Sequence, residues 1–310
     1  MYIFSLSYAR SANDLIFCFK IGKYYVQIPP KYLDKIIKDL SYSYKNDNIH
    51  KYAYVFALIK KYKQLSENDK KLIYNLLQEL KSDEFVPAYN LLGNCYFYGI
   101  GCRVSKTFSK MYHRKAHEKG FIIGTENLAL DYIDEKNYEK AKQLIEIGIQ
   151  NNYPVSYFHK GLYTYGGDYG YTQDKMQGYD LLVKASVQGH TGASSTLGDI
   201  NALGIYRPVN HREAIKFFDK GALYGDIKSS YHLGVYYLEG IHIDRNYDNA
   251  YFYLNEAAEY GHNDAKAFLG LCYIEGYGCY RDYSKGVALI KEALNLGSEQ
   301  AIKIARKYNI

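Results

Sequence analysis

A short pattern of small residues recurs along the chain and constrains its fold more than any other feature. The pair Leu-Gly occurs at residues 92–93, 197–198, 233–234 and 269–270, and Lys160-Gly161 is a variant of it. A small residue lies four positions before each pair, and a closing glycine ends each unit at Gly120, Gly189, Gly225, Gly261 and Gly297. The last four paired glycines are 36 or 37 residues apart. This period is typical of solenoids, in which each unit stacks on its neighbours.

Each unit is predicted to be a hairpin of two helices. The small residue, the Leu-Gly pair and a following tyrosine fall on one helix face, so a neighbouring helix can approach closely. Gly99 and Gly276 are placed to end a first helix in a left-handed turn. The second helix is predicted to begin near Asp248 or Asp282, each a plausible N-cap.

One unit is shorter than the others. In residues 124–152 the small residues Ala129 and Ala141 are 12 positions apart, whereas the other units have 16 or 17 between the glycine and the next small residue. Surface loops tolerate deletion better than packed helices. We therefore expect the four missing residues to come from the link between the two helices.

These columns resemble the Sel1-like repeat family, a relative of the tetratricopeptide repeat. The best match is SSYHLGVYYLEGIHIDRNYDNAYFYLNEAAEYG at 229–261. The resemblance implies an all-α fold, a right-handed α-solenoid of stacked helical hairpins. It predicts six repeats over residues 84–298, starting near 88, 124, 156, 193, 229 and 265, and a capping helix over 299–310.

The region before the repeats is predicted in two parts. Residues 31–83 read as helices and as a candidate degenerate repeat, with Pro29 and Pro30 at the entry of one helix and Ser66 with Asp69 at the start of another. Residues 1–30 contain two β-prone runs joined at Gly22, which predict a short β-hairpin. This hairpin would either cap the first layer or form a separate binding element.

The composition is that of a globular protein. The chain has 310 residues, 47% of them hydrophobic and 23% charged, and no apolar run approaches the length of a membrane span. The net charge of +6 is mild and its lysines are scattered, so neither nucleic acid nor membrane is an expected partner. Five cysteines without an export signal favour a reducing, cytoplasmic location, and we expect a monomer.

Few residues suggest chemistry. His113 and His117 are one helical turn apart, but Arg114 occupies the place of the glutamate in a zincin motif. We interpret both as histidines of the repeat, and we predict no metal, no cofactor and no catalytic residue. The loops GIGC and GYGC follow helices and lack the ending of a phosphate-binding loop.

Two cysteine pairs, Cys95 with Cys102 and Cys272 with Cys279, occupy matching positions in two repeats. We interpret them as small apolar residues at one helix-to-turn junction. A disulfide within each unit and a metal site are the two alternatives, and the first requires the chain to reverse at the intervening glycines.

The predicted function is binding of another protein or peptide, which the family resemblance implies for an adaptor or scaffold. Tetratricopeptide relatives use first-helix positions just after the glycine and one turn later, on a concave surface. Carried onto this chain, the predicted contact residues are Asn94, Tyr98, Asp134, Asp199, Leu203, Val235, Glu239, Leu271 and Glu275. Acidic, aromatic and aliphatic side chains together suit a basic or mixed surface on the partner.

Two alternatives differ in class. The chain could be an immunity protein that covers the active face of a bacterial toxin, because repeats of this family also occur beside toxin genes. It could also be an enzyme whose chemistry lies in residues 1–83.

Overall fold

The computed structural model describes residues 8–61, 64–205 and 207–310, which form 17 α-helices. Residues 1–7 of the predicted N-terminal segment lie outside this description. The chain divides into two compact units, Met1–Gly189 and His190–Ile310. The described residues contain one isolated parallel bridge, between Tyr8 and Gln27. The predicted all-α fold of stacked helical hairpins is therefore confirmed.

The first unit contains ten helices. Their bounds are α1 Ala12–Lys20, α2 Pro30–Ser41, α3 Asn48–Ile59, α4 Glu67–Ser82, α5 Val86–Tyr98, α6 Lys106–Glu118, α7 Ile122–Asp134, α8 Tyr138–Gln150, α9 Pro154–Gly166 and α10 Lys175–Val187. Each helix from α5 to α9 packs against the next one along the chain.

The second unit contains seven helices. Their bounds are α11 Thr191–Leu203, α12 His211–Leu223, α13 Ile227–Glu239, α14 Tyr247–Glu259, α15 Asn263–Glu275, α16 Tyr283–Asn295 and α17 Glu299–Tyr308. All twelve helices from α5 to α16 are 13 residues long, so the same position can be compared in every hairpin.

The eighth residues of the two helices meet in every hairpin that has a Leu-Gly or Lys-Gly pair. A Cβ atom added to Gly198 would lie 2.3 Å from the Phe218 ring, and one on Gly234 would lie 2.6 Å from Leu254 Cγ. Gly270 faces Ile290 in the same way, at 2.7 Å. The glycine column is therefore a point of close approach within each of these hairpins, as the small-residue pattern predicted.

The helix ends follow local sequence. Gly99 and Gly276 end their helices with φ of 73° and 77°, a left-handed conformation that glycine adopts without a Cβ penalty. Asp282 caps α16 by accepting a hydrogen bond from the Lys285 backbone N–H, as predicted. The prediction for Asp248 was wrong, because Asn246 caps α14. Asp248 lies in the first helical turn, where the helix dipole stabilises a carboxylate.

The short unit has a shorter link than the others and helices of the same length. Residues 135–137 connect α7 to α8, four residues fewer than the 99–105 link between α5 and α6, while all four helices keep 13 residues. Lys136 takes a positive φ of 59° to reverse the chain in this short link. The predicted origin of the deletion is confirmed.

The predicted β-hairpin within residues 1–30 was wrong, because residues 12–20 form helix α1. Ser11 caps the helix by accepting from the Asp14 backbone N–H, and Leu15, Cys18 and Phe19 are buried at helical spacing. The β-prone composition of this run is overridden because its apolar residues also fit one face of a helix. Residues 23–29, before the start of α2, have no regular structure apart from the bridge at Gln27.

The residues that follow α1 lie against the turns that connect later hairpins to one another. The Tyr24 ring packs edge-on against Phe121 at 5.1 Å, and Tyr25 packs in the same way against Tyr153 at 5.7 Å. Phe121 and Tyr153 are the residues that precede α7 and α9. The N-terminal segment therefore packs against the α6–α7 and α8–α9 turns of the first unit.

Helices α1 to α4 share one hydrophobic core with α5 and α6. Buried side chains from Leu15, Tyr52 and Leu77 belong to the same cluster as Leu92 and Cys95. α3 and α4 occupy the two stretches of 48–83 that were predicted to be helical, and Ser66 caps α4 as expected. Their interpretation as a degenerate repeat stays a prediction. No helix in the described part of the chain is long and apolar enough to cross a membrane.

Replacing Gly234 by leucine is expected to destabilise the second unit. The Cβ atom of the new side chain would lie 2.6 Å from Leu254 Cγ and 3.1 Å from the Leu254 backbone nitrogen. α13 and α14 would therefore have to separate. Overpacking of this kind costs about 1–3 kcal/mol or more. Chemical denaturation would measure the fall in the free energy of unfolding.

Gly297→Ala is the matched control, because an added Cβ there meets no atom within 4 Å. This substitution should lower the free energy of unfolding only through the left-handed φ of 79° that alanine must adopt, by about 1–2 kcal/mol. Equal stability of Gly234→Leu and wild type would contradict the proposed close contact.

Candidate partner-binding surface

The predicted contact residues fall in two rows on the first helices of the hairpins. Asp199, Val235 and Leu271 are the ninth residues of α11, α13 and α15, and Leu203, Glu239 and Glu275 are the last residues of the same helices. These first helices lie side by side, because α11 contacts α13 and α13 contacts α15. In the first unit Asn94 and Tyr98 take the same two places in α5, and Asp134 ends α7.

The ninth-residue row is half-buried and holds neighbouring layers together. Val235 and Leu271 pack against the hydrophobic cluster that contains Leu254 and Cys272. Asp199 forms an ion pair with Lys228 and lies 3.4 Å from His232 Nε2, both on α13. Asn94 lies 3.2 Å from His113 Nε2. This row therefore serves packing within and between layers.

The last-residue row is exposed. The Leu203 side chain is 69% exposed and Tyr98 is 50% exposed. Glu239 and Glu275 are exposed as well, although Glu275 accepts a hydrogen bond from the Tyr308 hydroxyl at 2.5 Å. Asp134 is exposed and pairs with Lys106 at 3.0 Å. In the second unit the row thus combines one aliphatic side chain with two carboxylates.

His232 is the residue in this region whose charge depends most clearly on the fold. Burial lowers the pKa of its imidazole to about 4, which outweighs the opposing effect of Asp199, and Lys228 adds to the lowering. The imidazole stacks on the Phe218 ring at 4.5 Å. His232 is therefore neutral at pH 7 and packs as an aromatic residue.

The free energy of unfolding is expected to fall as the pH drops from about 6.5 through 4. The unfolded state binds a proton on His232 near pH 6.5, whereas the folded state binds it only near pH 4, so acid favours unfolding in this window. Urea denaturation of wild type and His232→Gln across pH 4–7 would measure the effect. The variant should show a shallower pH dependence, and parallel profiles would contradict this assignment.

His113 and His117 have separate partners. His113 is the eighth residue of α6 and faces Gly93, in the place that Phe218 and Leu254 hold in other hairpins. Its ring is 3% exposed, and Nδ1 lies 2.7 Å from Asp131 and Nε2 3.2 Å from Asn94. His117 Nδ1 lies 2.9 Å from Thr125 Oγ1. Both are accounted for by contacts of the repeat.

The cysteines are free thiols. Cys95 and Cys272 are the tenth residues of α5 and α15, and both are fully buried. Burial raises the pKa of Cys272 to about 12, so its thiol stays protonated at neutral pH. Cys279 Sγ lies 3.5 Å from the Cys272 carbonyl oxygen. This environment fits the interpretation of small apolar residues at a helix-to-turn junction.

A buried carboxylate in the first unit escaped the sequence reasoning. Glu126 on α7 is 3% exposed, accepts a hydrogen bond from Ser156 Oγ and lies 2.5 Å from His159 Nδ1, both on α9. In a hydrolase triad the serine contacts the histidine, whereas here both contact the carboxylate. The three residues fasten two layers together. The one available signal was an acidic residue at the fifth helix position, where α5 and α11 have Asn90 and Ser195.

The described residues contain no group of three or more His, Cys, Asp or Glu side chains arranged to hold a metal ion.

Sel1 repeats are present at four places in the chain. The Sel1 repeat family matches residues 86–121, 197–226, 227–262 and 263–298. The α7/α8 and α9/α10 hairpins lie between the matched ranges. Their assignment as Sel1 repeats remains our prediction from the columns of small residues, and their helices have the same length as those of the matched repeats.

Solved structures share the fold. A Sel1 repeat protein from Oxalobacter formigenes is 20% identical with a TM-score of 0.62, covering 74% of this chain and 100% of its own. The protective antigen c5321 of uropathogenic Escherichia coli, described as an SLR fold, is 20% identical with a TM-score of 0.59, covering 96% of this chain. The match spans 64% of the antigen's length.

Immunity protein Pa5087 from Pseudomonas aeruginosa is 16% identical, covers 61% of this chain and 74% of its own, and has a TM-score of 0.48. Similarity at that level carries no functional argument. No curated protein matches the chain.

Proposed function

We propose that this chain is a non-catalytic binding protein that holds another protein against the first helices of its repeats. Sel1 repeats generally mediate protein–protein interaction, and four are present here. The observation that carries the proposal is the exposed row formed by Leu203, Glu239 and Glu275 at the ends of three adjacent first helices. One aliphatic and two acidic side chains suit a basic or mixed segment of the partner.

The residues of the ninth row contribute less to the proposal. Val235 and Leu271 are half-buried in layer contacts, and Asp199 is engaged by Lys228 and His232. Lysine at position 199 would stand beside Lys228 and weaken the layer. Variants of Asp199 therefore mix a folding effect with a binding effect, and we place the test in the exposed row.

Glu239→Lys is expected to weaken partner binding by about tenfold without lowering the thermal midpoint, because reversing an exposed charge changes complementarity and leaves packing intact. A partner captured by the wild-type chain would be titrated against each variant. Glu259→Lys, with the same charge change on the second helix α14, is the matched control. Equal affinity of Glu239→Lys and wild type would remove the first-helix surface from the proposal.

The identity of the captured partner separates the scaffold from the immunity alternative. An immunity protein would bind one toxic protein very tightly and abolish its activity, whereas a scaffold would bind several partners more weakly. A toxin assay with and without the chain distinguishes the two.

The enzyme alternative placed chemistry in residues 1–83, but the described part of that region does not have a core of its own. Leu15 and Tyr52 share their cluster with Leu92, and the Tyr74 hydroxyl bonds the Tyr96 hydroxyl at 2.8 Å. Cutting the chain at residue 83 would expose this cluster, so a fragment of residues 1–83 is not a sound test. Turnover by the full chain is the appropriate measurement.

A further inference from the structure

An open groove lies beside the link between α15 and α16 in the second unit. Tyr251 on α14 and Tyr273 on α15 form its floor, and residues 278–285 form its side. Tyr280 is 97% exposed and Tyr283 is 51% exposed. By contrast Tyr247, which begins α14 as Tyr283 begins α16, stacks on the Tyr277 ring at 4.2 Å. The groove therefore presents two uncovered aromatic rings.

A hydrogen-bond network joins the floor to Lys285. The Lys285 ammonium donates to the Tyr273 hydroxyl at 2.7 Å and lies 4.1 Å from the centre of that ring. The Tyr273 and Tyr251 hydroxyls are 2.8 Å apart, and either can be the donor of the bond between them. The Tyr273 ring and hydroxyl therefore hold the Lys285 ammonium beside the floor.

Two cations and one carboxylate line the groove. An ammonium has three donors and Lys285 uses one of them on Tyr273, while the Arg281 guanidinium donates through Nε to the Ile274 carbonyl at 2.7 Å and keeps its outer N–H groups. The carboxylate of Asp282 accepts the Lys285 backbone N–H at 2.9 Å as the helix cap. The hydrogen bond with Tyr273 raises the pKa of both Lys285 and Tyr251, so each retains its proton.

We propose that this groove binds a carboxylate side chain from an acidic segment of a partner protein, with an aromatic or apolar neighbour of that carboxylate packing on Tyr280 and Tyr283. This inference rests on the proposed protein-binding function and adds a second surface, of opposite charge preference, to the exposed acidic row. A carboxylate can accept from the Lys285 ammonium and the Arg281 guanidinium, and charged hydrogen bonds of this kind are the strong ones. Two cations are fewer than the basic stripe that nucleic acid requires.

The test uses the full chain and a fluorescein-labelled, C-terminally amidated peptide of nine alternating Glu and Tyr residues. Fluorescence anisotropy should show saturable binding, lost when glutamine replaces every glutamate in the peptide. Lys285→Gln should weaken binding by about tenfold, the usual effect of removing a charged hydrogen bond. Tyr280→Ala should also weaken it, and because this ring is exposed the fold is retained.

Lys291→Gln is the matched control, since it removes the same charge from an exposed position on the same helix. Its affinity should stay within about twofold of wild type. Equal losses in Lys285→Gln and Lys291→Gln would show general charge attraction and overturn the inference. So would the absence of saturable peptide binding, or binding of inorganic phosphate in place of the peptide.

The two proposals fail in different ways. If the acidic peptide does not bind while Glu239→Lys still weakens binding of a captured partner, the groove assignment alone is wrong. If the peptide binds at the groove but Glu239→Lys leaves partner affinity unchanged, the first-helix surface is wrong and the groove stands.

Discussion

The structure depends on one contact, made once in each hairpin between the eighth residues of its two helices. Glycine at that place in the first helix lets the side chain from the second helix approach within about 3 Å of where a Cβ would stand, as with Gly234 against Leu254. In the α7/α8 hairpin the glycine is replaced by Ala129, which packs in one cluster with Ile145. Close packing at this point fixes the distance between the two helices.

Tyrosine supplies much of the contact between layers. The hydroxyl pairs Tyr74–Tyr96 and Tyr251–Tyr273 have the same sequence separation, and each joins the second helix of one hairpin to the first helix of the next. A phenol combines a large apolar ring with a polar end, so it can fill a layer and still satisfy its hydroxyl at the edge. This explains part of the unusual content of 38 tyrosines without requiring every one to contact a partner.

The elements that recur in every repeat could be predicted from the sequence. Segments that occur once, with no equivalent repeat for comparison, were predicted less well. The repeat register predicted stacked helical hairpins, first helices that end at glycine and the short link after Asp134, and the structure has all three. Residues 12–20 have no counterpart in a repeat, and their β-prone side chains led to the wrong element. The partners of Asp199 and the burial of Glu126 depend on side chains about 30 residues away, which single-sequence spacing does not reveal. The exposure of Tyr280 likewise became evident only with the fold.

Because the eighth-residue contact lies within the helices, the links have little part in holding a hairpin together. The three-residue link at 135–137 and the seven-residue link at 276–282 join helices of identical length. A change in the length of a link therefore leaves the paired helices as they are. A chain built in this way can acquire new recognition chemistry by altering a few residues at one hairpin tip, while the stack beneath it stays the same and older contacts are kept.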